Sequence, residues 1–169
     1  VGGWNKAHMM GMSVGVVWDS HEQKCTSYFE EHVDALIEHL QQADLVVGFN
    51  IIGFDYTVLR GYSKFDFKGL NTLDILREIH GRLRYRVSLD SVGKATLDAA
   101  KSADGLMALQ WFKEGRLDLI EAYCRKDVEL TRDLFYYALE HSYLLFDRKN
   151  EGRMRIPLEW KLDEVVESA

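Results

Sequence analysis

Asp44-Leu-Val-Val-Gly-Phe-Asn50-Ile-Ile-Gly-Phe-Asp55 decides the fold of this chain. Leu45 to Phe49 is a short unbroken apolar run, as expected of a strand buried on both faces, and it ends in an Asn-x-x-x-Phe-Asp corner. In open α/β sheets, ligands collect beyond the carboxyl ends of strands, at the turn that follows. Asn50 and Asp55 fall at that end. Asn50 has an ordinary reading as a helix N-cap beside any direct role. Asp55 has one as a first-turn carboxylate favoured by the helix dipole, although apolar Ile51, Ile52 and Phe54 crowd it. A helix is expected to start near Asn50 or Gly53 and run toward Arg60.

Working outward, Met12 to Trp18 and Lys24 to Phe29 are strand candidates. Asp19-Ser-His-Glu-Gln between them reads as a turn, so the pair predicts an antiparallel hairpin. Glu30 to Gln42 places Val33, Leu36, Ile37 and Leu40 at helical spacing. Beyond the corner, Gly61 to Lys68 reads as a loop. Leu70 to Leu73 reads as a short strand leading into a helix over 74–80. Ser88 is the expected cap of the next helix, and 103–112 is another. Arg116 to His141 is the longest helix. Tyr143 to Phe146 and Arg153 to Ile156 then form a terminal hairpin. This order predicts an α/β layered domain.

On the long helix, Leu117, Ile120, Cys124, Val128, Thr131, Phe135 and Ala138 form one stripe at about 100° per residue. Cys124 is thus expected in the core rather than as a nucleophile. Asp127 lies on the shoulder of that stripe, with Tyr123 four residues earlier on the same flank. A carboxylate there is costly unless it is paired or binds a metal. Arg125 and Lys126 are the alternative partners, but they point to other faces.

With 169 residues, 47% hydrophobic and 28% charged, the chain suits a single domain over 1–169 with a substantial core. No run approaches a membrane span, and no basic leader precedes an apolar segment. Val1-Gly-Gly-Trp-Asn reads like the middle of a loop. Cys25 and Cys124 lack metal-ligand spacing and suggest a reduced setting. A cytoplasmic location is expected. The net charge of −6 argues against a broad basic surface for duplex, but an acidic metal site carries its positive charge as cations.

Asn50-x-x-x-Phe54-Asp55 and Tyr123-x-x-x-Asp127 together resemble the second and third motifs of the DEDD 3'–5' exonucleases, in their tyrosine-bearing branch. The likeness runs from Met12 to about His141. It implies an RNase H-like three-layer domain with a mixed sheet, N-terminal antiparallel strands and a C-terminal β-hairpin over 142–158. It implies hydrolysis of terminal phosphodiesters at the 3' end of DNA or RNA, expected to be single-stranded. Asp127 would ligate a metal directly, Asp55 would act from the second-metal side through water, and Tyr123 would orient the attacking water. Asn50 and Phe54 would contact substrate. The cofactor implied is a pair of Mg²⁺ or Mn²⁺ ions, hard cations that oxygen ligands suit.

The family's opening Asp-x-Glu is missing: the only one here is Asp127-Val-Glu129, on the long helix. With two of four carboxylates, weak turnover is expected. By analogy, the strand that carries that motif lies between 12–18 and 45–49. Its absence would leave an unpaired edge for a partner chain, and a homodimer is one expectation. The rival reading is an inactive module that binds nucleic acid or docks a protein.

Other positions have weaker claims. Asp74 reads as a helix cap that could also lie near the site. Arg82, Arg84 and Arg86, and Arg148, Lys149, Arg153 and Arg155 on the terminal hairpin, are secondary candidates for phosphate contact, with a solvated surface as the alternative. The histidines His8, His32 and His80 read as surface or capping groups. The tryptophans Trp4, Trp18, Trp111 and Trp160 read as packing residues.

Overall fold

A computed structural model describes residues 11–99 and 105–167. The chain opens with a hairpin of β1 (Val14–Asp19) and β2 (Lys24–Phe29), antiparallel from Val14 opposite Phe29 to Asp19 opposite Lys24. Asp19 shapes the turn, since its Oδ1 accepts from the His21 amide at 2.8 Å. Its Oδ2 lies 2.8 Å from His39 Nε2, whose Nδ1 in turn meets the Tyr28 hydroxyl at 2.8 Å. This bond to His39 comes first among the causes holding the Asp19 carboxyl below its ordinary value. It ties the hairpin to α1 (Val33–Gln41), which a single 3-10 turn precedes.

Next come β3 (Val46–Gly48), the corner, α2 (Tyr56–Leu59), β4 (Thr72–Asp74) and α3 (Ile75–Leu83). β3 and β4 pair in parallel, Val46 opposite Thr72 and Gly48 opposite Asp74. The strand has two packed faces. Val46 joins a core of Val33, Leu36, Ile37, Leu59 and Phe67. Val47 lies against a second core built on Ile75, Ile79, Val92, Leu134, Leu144 and Ile156. The apolar run predicts full burial, yet only Gly48 is buried. The reason is lateral: among the described residues β3 has a ladder partner only in β4, and β1 only in β2.

α4 (Leu89–Leu97) begins at Ser88, whose hydroxyl accepts from the Ser91 amide at 3.1 Å as a cap should. α5 (Gly105–Lys113) corresponds to the helix expected over 103–112, while Trp4 and His8 lie outside the described residues. α6 (Leu117–His141) packs on β1, β3, α4, α5 and β5 (Tyr143–Arg148), and so spans both halves of the molecule. Its expected stripe is buried at Ile120, Thr131, Phe135 and Ala138, but Leu117 is exposed in the first turn. Leu134, off the predicted centre line, is completely buried. Each such fully buried aliphatic side chain is worth about 1.5–3 kcal/mol. A Cβ on Gly93 would stand 2.8 Å from the Leu130 side chain, so glycine there permits the approach of α4 to α6.

β5 and β6 (Gly152–Pro157) form the terminal hairpin, and α7 (Leu162–Glu167), not expected from the sequence, follows. The Thr96 hydroxyl accepts from the Leu145 amide at 2.9 Å and donates to the Leu145 carbonyl at 3.1 Å, covering part of the β5 edge. Asn71 Nδ2 donates to the Val165 carbonyl at 2.8 Å and holds α7 beside the start of β4. The architecture is mixed α/β, with N-terminal antiparallel strands, a parallel pair and a C-terminal hairpin.

Candidate functional site

The Asn50–Asp55 corner is tightly wound. Asn50 adopts the left-handed conformation, φ 60° and ψ 28°, which asparagine tolerates better than most residues. Ile51–Asp55 forms one π-helical turn, closed by the Tyr56 amide donating to the Ile51 carbonyl. A Cβ on Gly48 would collide with the Ile51 side chain, so the strand must end in glycine for the chain to fold back this closely.

Of the two readings open for Asn50, the cap is not seen: its side chain makes no capping hydrogen bond. The backbone instead hangs on Asp74, which is 3% exposed. Asp74 Oδ1 accepts from the Asn50 amide at 2.8 Å and from the Leu76 amide at 3.1 Å, while Oδ2 accepts from the Ile52 amide at 3.1 Å. Three amide donors offset the cost of burying a carboxylate. Asp74 is therefore a helix cap, as its position at the start of α3 suggested. It also ties α3 to the corner, a second role that no local pattern announces because its partners lie more than twenty residues away.

Asp55 ends the π turn. Protein surrounds much of its carboxyl, yet the residue keeps an open, exposed side. Desolvation is the main cause that pushes the carboxyl up from 3.8 to about 7; its own backbone amide opposes the rise, and the neighbouring charge of Asp74 adds to it. Phe54 is half-buried and packs on the α1–α2 core.

From the other side comes α6. Tyr123, Cys124 and Asp127 are all half-buried. The Tyr123 ring meets Trp111 of α5 at 6.3 Å and 66°, an edge-to-face contact that holds it from behind. The Asp127 carbonyl accepts from Thr131 Oγ1 at 2.7 Å. Burial pushes the Cys124 thiol up to about 11, with the charges of Asp127 and then Asp55 raising it further. Cys124 therefore stays protonated at neutral pH, in keeping with a packing role. It also lies within the field of both carboxylates, one from the corner and one from α6.

As a metal site, this arrangement offers hard oxygen donors of the kind Mg²⁺ and Mn²⁺ prefer. Among the described residues no group of three or more His, Cys, Asp or Glu side chains is placed to hold an ion. Two carboxylates suit a cation that keeps most of its water, as Mg²⁺ commonly does, and not one caged by protein.

Beside the corner, Asn50 and Gly53 form one wall of an open cleft of about 450 Å³ whose other side carries Arg77, His80 and Arg86. Of the three alternating arginines only Arg86 lines it; Arg84 caps α3 in the left-handed conformation, its amide donating to the His80 carbonyl at 2.8 Å. On the terminal hairpin Arg153 is committed to Asp147 at 2.9 Å, and Arg155 stacks over Tyr143 at 4.4 Å.

A model of the RNase H superfamily matches residues 4–139, which takes in the corner and the flank of α6. No curated protein and no solved structure matches the chain.

Proposed function

The chain belongs to the RNase H superfamily, and from that premise we propose a 3'–5' exonuclease-like domain of the tyrosine-bearing DEDD type. Superfamily membership points to nuclease-type phosphodiester hydrolysis, with nucleic acid as substrate and a divalent metal as the general cofactor. The finer reading is ours. Its main support is that the charges of both Asp127, from α6, and Asp55, from the Asn50–Asp55 corner, reach the Cys124 thiol.

In this reading Asp127 and Asp55 bind a hydrated Mg²⁺ or Mn²⁺, and Tyr123, braced by Trp111, orients the attacking water. Asn50 and Phe54 line the approach of the terminal nucleotide. When bound, the metal supplies an activated water and stabilises the departing 3' oxygen. Two carboxylates hold such an ion loosely, so turnover by residues 1–169 alone should be slow. The 142–158 hairpin would belong to the same domain, because Leu144, Phe146 and Ile156 share a core with α3, α4 and α6.

The test is release of the terminal nucleotide from a 3'-labelled single strand with Mn²⁺. Slow release by the wild type, lost in Asp127→Ala, supports the reading. Equal release by both proteins contradicts it.

A further inference from the structure

The cleft beside the corner does not end there. Arg86 also lines a second open cleft, of about 480 Å³, bounded by Tyr85 and Ser88 on one side and by Phe146, Arg148 and Lys149 of the terminal hairpin on the other. One arginine is thus common to both. The two clefts adjoin at Arg86: one is lined by Asn50, Gly53 and Arg77, the other by residues at the end of β5.

The charges along this path do not cancel. Arg148 is held by Glu151 at 3.0 Å, and Asp147 in the second cleft is held by Arg153 at 2.9 Å, so those four are neutral as pairs. Arg77, Arg86 and Lys149 are exposed, and among the described residues none has a carboxylate within ion-pair distance. Three uncompensated cations therefore gather along one path of a chain whose net charge is −6. Near its far end Tyr85 is 37% exposed, with the Arg148 guanidinium over its ring at 5.7 Å and Phe146 against it at 6.0 Å. A part-exposed aromatic ring is the kind of platform on which unpaired bases stack.

We propose that this path is the track for a single-stranded nucleic acid whose end lies at the Asn50–Asp55 corner, with Arg77, Arg86 and Lys149 on successive phosphates. The proposal rests on the phosphodiester-hydrolysis reading above for its direction. Arginine suits the role because its planar fork pairs two phosphate oxygens at once. A line of cations one strand wide, on an otherwise acidic protein, fits one backbone better than the two of a duplex. The track uses the connection after α3 and the turn of the terminal hairpin, which lies outside the 4–139 match.

Fluorescence anisotropy with a 5'-labelled oligo(dT) of ~12 nucleotides, in EDTA so that nothing is cleaved, reads this directly. Arg86→Glu should weaken binding about tenfold at about 50 mM salt, and Arg77→Glu and Lys149→Glu several-fold. Each should reduce the slope of log affinity against log salt by about 0.7. Lys24→Glu, on the β1–β2 hairpin, should change neither. Arg86→Gln, which removes charge without adding any, should fall between wild type and Arg86→Glu and melt as the wild type does. Wild-type affinity in Arg86→Glu, no binding by the wild type, or tighter binding of a duplex of equal length would each overturn the proposal. Failure of the catalytic reading is distinguishable: it would leave hydrolysis unchanged in Asp55→Asn, whereas failure of the track leaves affinity unchanged in Arg86→Glu.

Discussion

Asp74 Oδ1 accepts the backbone amide of Asn50 at 2.8 Å, so a buried carboxylate at the end of β4 fixes the residue that turns the chain after β3. The left-handed Asn50 and the π turn behind it are held from below by this bond and its companion to Ile52. Geometry at Asp55 thus depends on a side chain that itself takes no part in the proposed chemistry.

Removing that side chain should therefore cost more than a helix cap. Asp74→Ala leaves three amides without their acceptor and is expected to lose about 3 kcal/mol in urea unfolding, against about 1 kcal/mol for an ordinary cap. Asp74→Asn, which keeps one oxygen acceptor, should lose roughly half as much. Amide hydrogen exchange at Asn50 and Ile52 should quicken in both variants. A loss of only about 1 kcal/mol with unchanged exchange would reduce Asp74 to a cap.

Asp55 predicts a pH dependence of the metal-free protein. Its carboxyl is raised from 3.8 to about 7 in the folded state, so between those values the folded chain holds the proton more firmly than the unfolded chain does. The contribution of this group is therefore present at low pH and is lost as pH rises through about 7. Asp55→Asn, which cannot ionise, should melt at a temperature that rises relative to wild type as pH increases from 5 to 8 (~3 units, spanning the titration). Solvent on the open side of Asp55 tempers the size of this difference and not its sign. A constant difference across the range would contradict the raised carboxyl.

β1 and β3 predict self-association. Each has one ladder partner among the described residues, and an edge left open on the other side would carry a row of amides and carbonyls without partners. Pairing of such edges between two copies would make stability depend on concentration. Thermal melts across a hundredfold dilution (~2 decades) should shift downward, with a matching change in size by light scattering. A monomer that melts at one temperature throughout would show the edges to be covered within the chain.

Local signals carried much of the fold. Periodicity over 116–141 gave α6 nearly to the residue, and the alternation and turn residues flanking 143–156 gave the terminal hairpin. Ser88 capped α4 as its sequence context required. The departures share one cause, long-range contact. Leu45 to Phe49 predicted a fully buried strand because its residues are apolar, but burial also requires neighbours on both lateral edges. Asn50, whose position left a cap and a direct role both open, makes no cap, because Asp74 holds the amides of the corner. At the site, residue types and spacing singled out Asp55, Tyr123 and Asp127. The pattern could not show the charges of Asp127 and Asp55 reaching the same Cys124 thiol, the Trp111 ring against Tyr123, or Arg86 lining two clefts at once, because each joins elements far apart in sequence.

Whether Asp55 and Asp127 hold one hydrated divalent cation between them is read by titration with Mn²⁺ followed by electron paramagnetic resonance. The signal of free Mn²⁺ should fall as the wild-type protein binds one ion weakly, and more strongly at pH 8 than at pH 6 as Asp55 ionises through about 7. Asp55→Asn and Asp127→Asn should each abolish that binding while the protein stays folded. Wild-type binding in either variant would contradict the account.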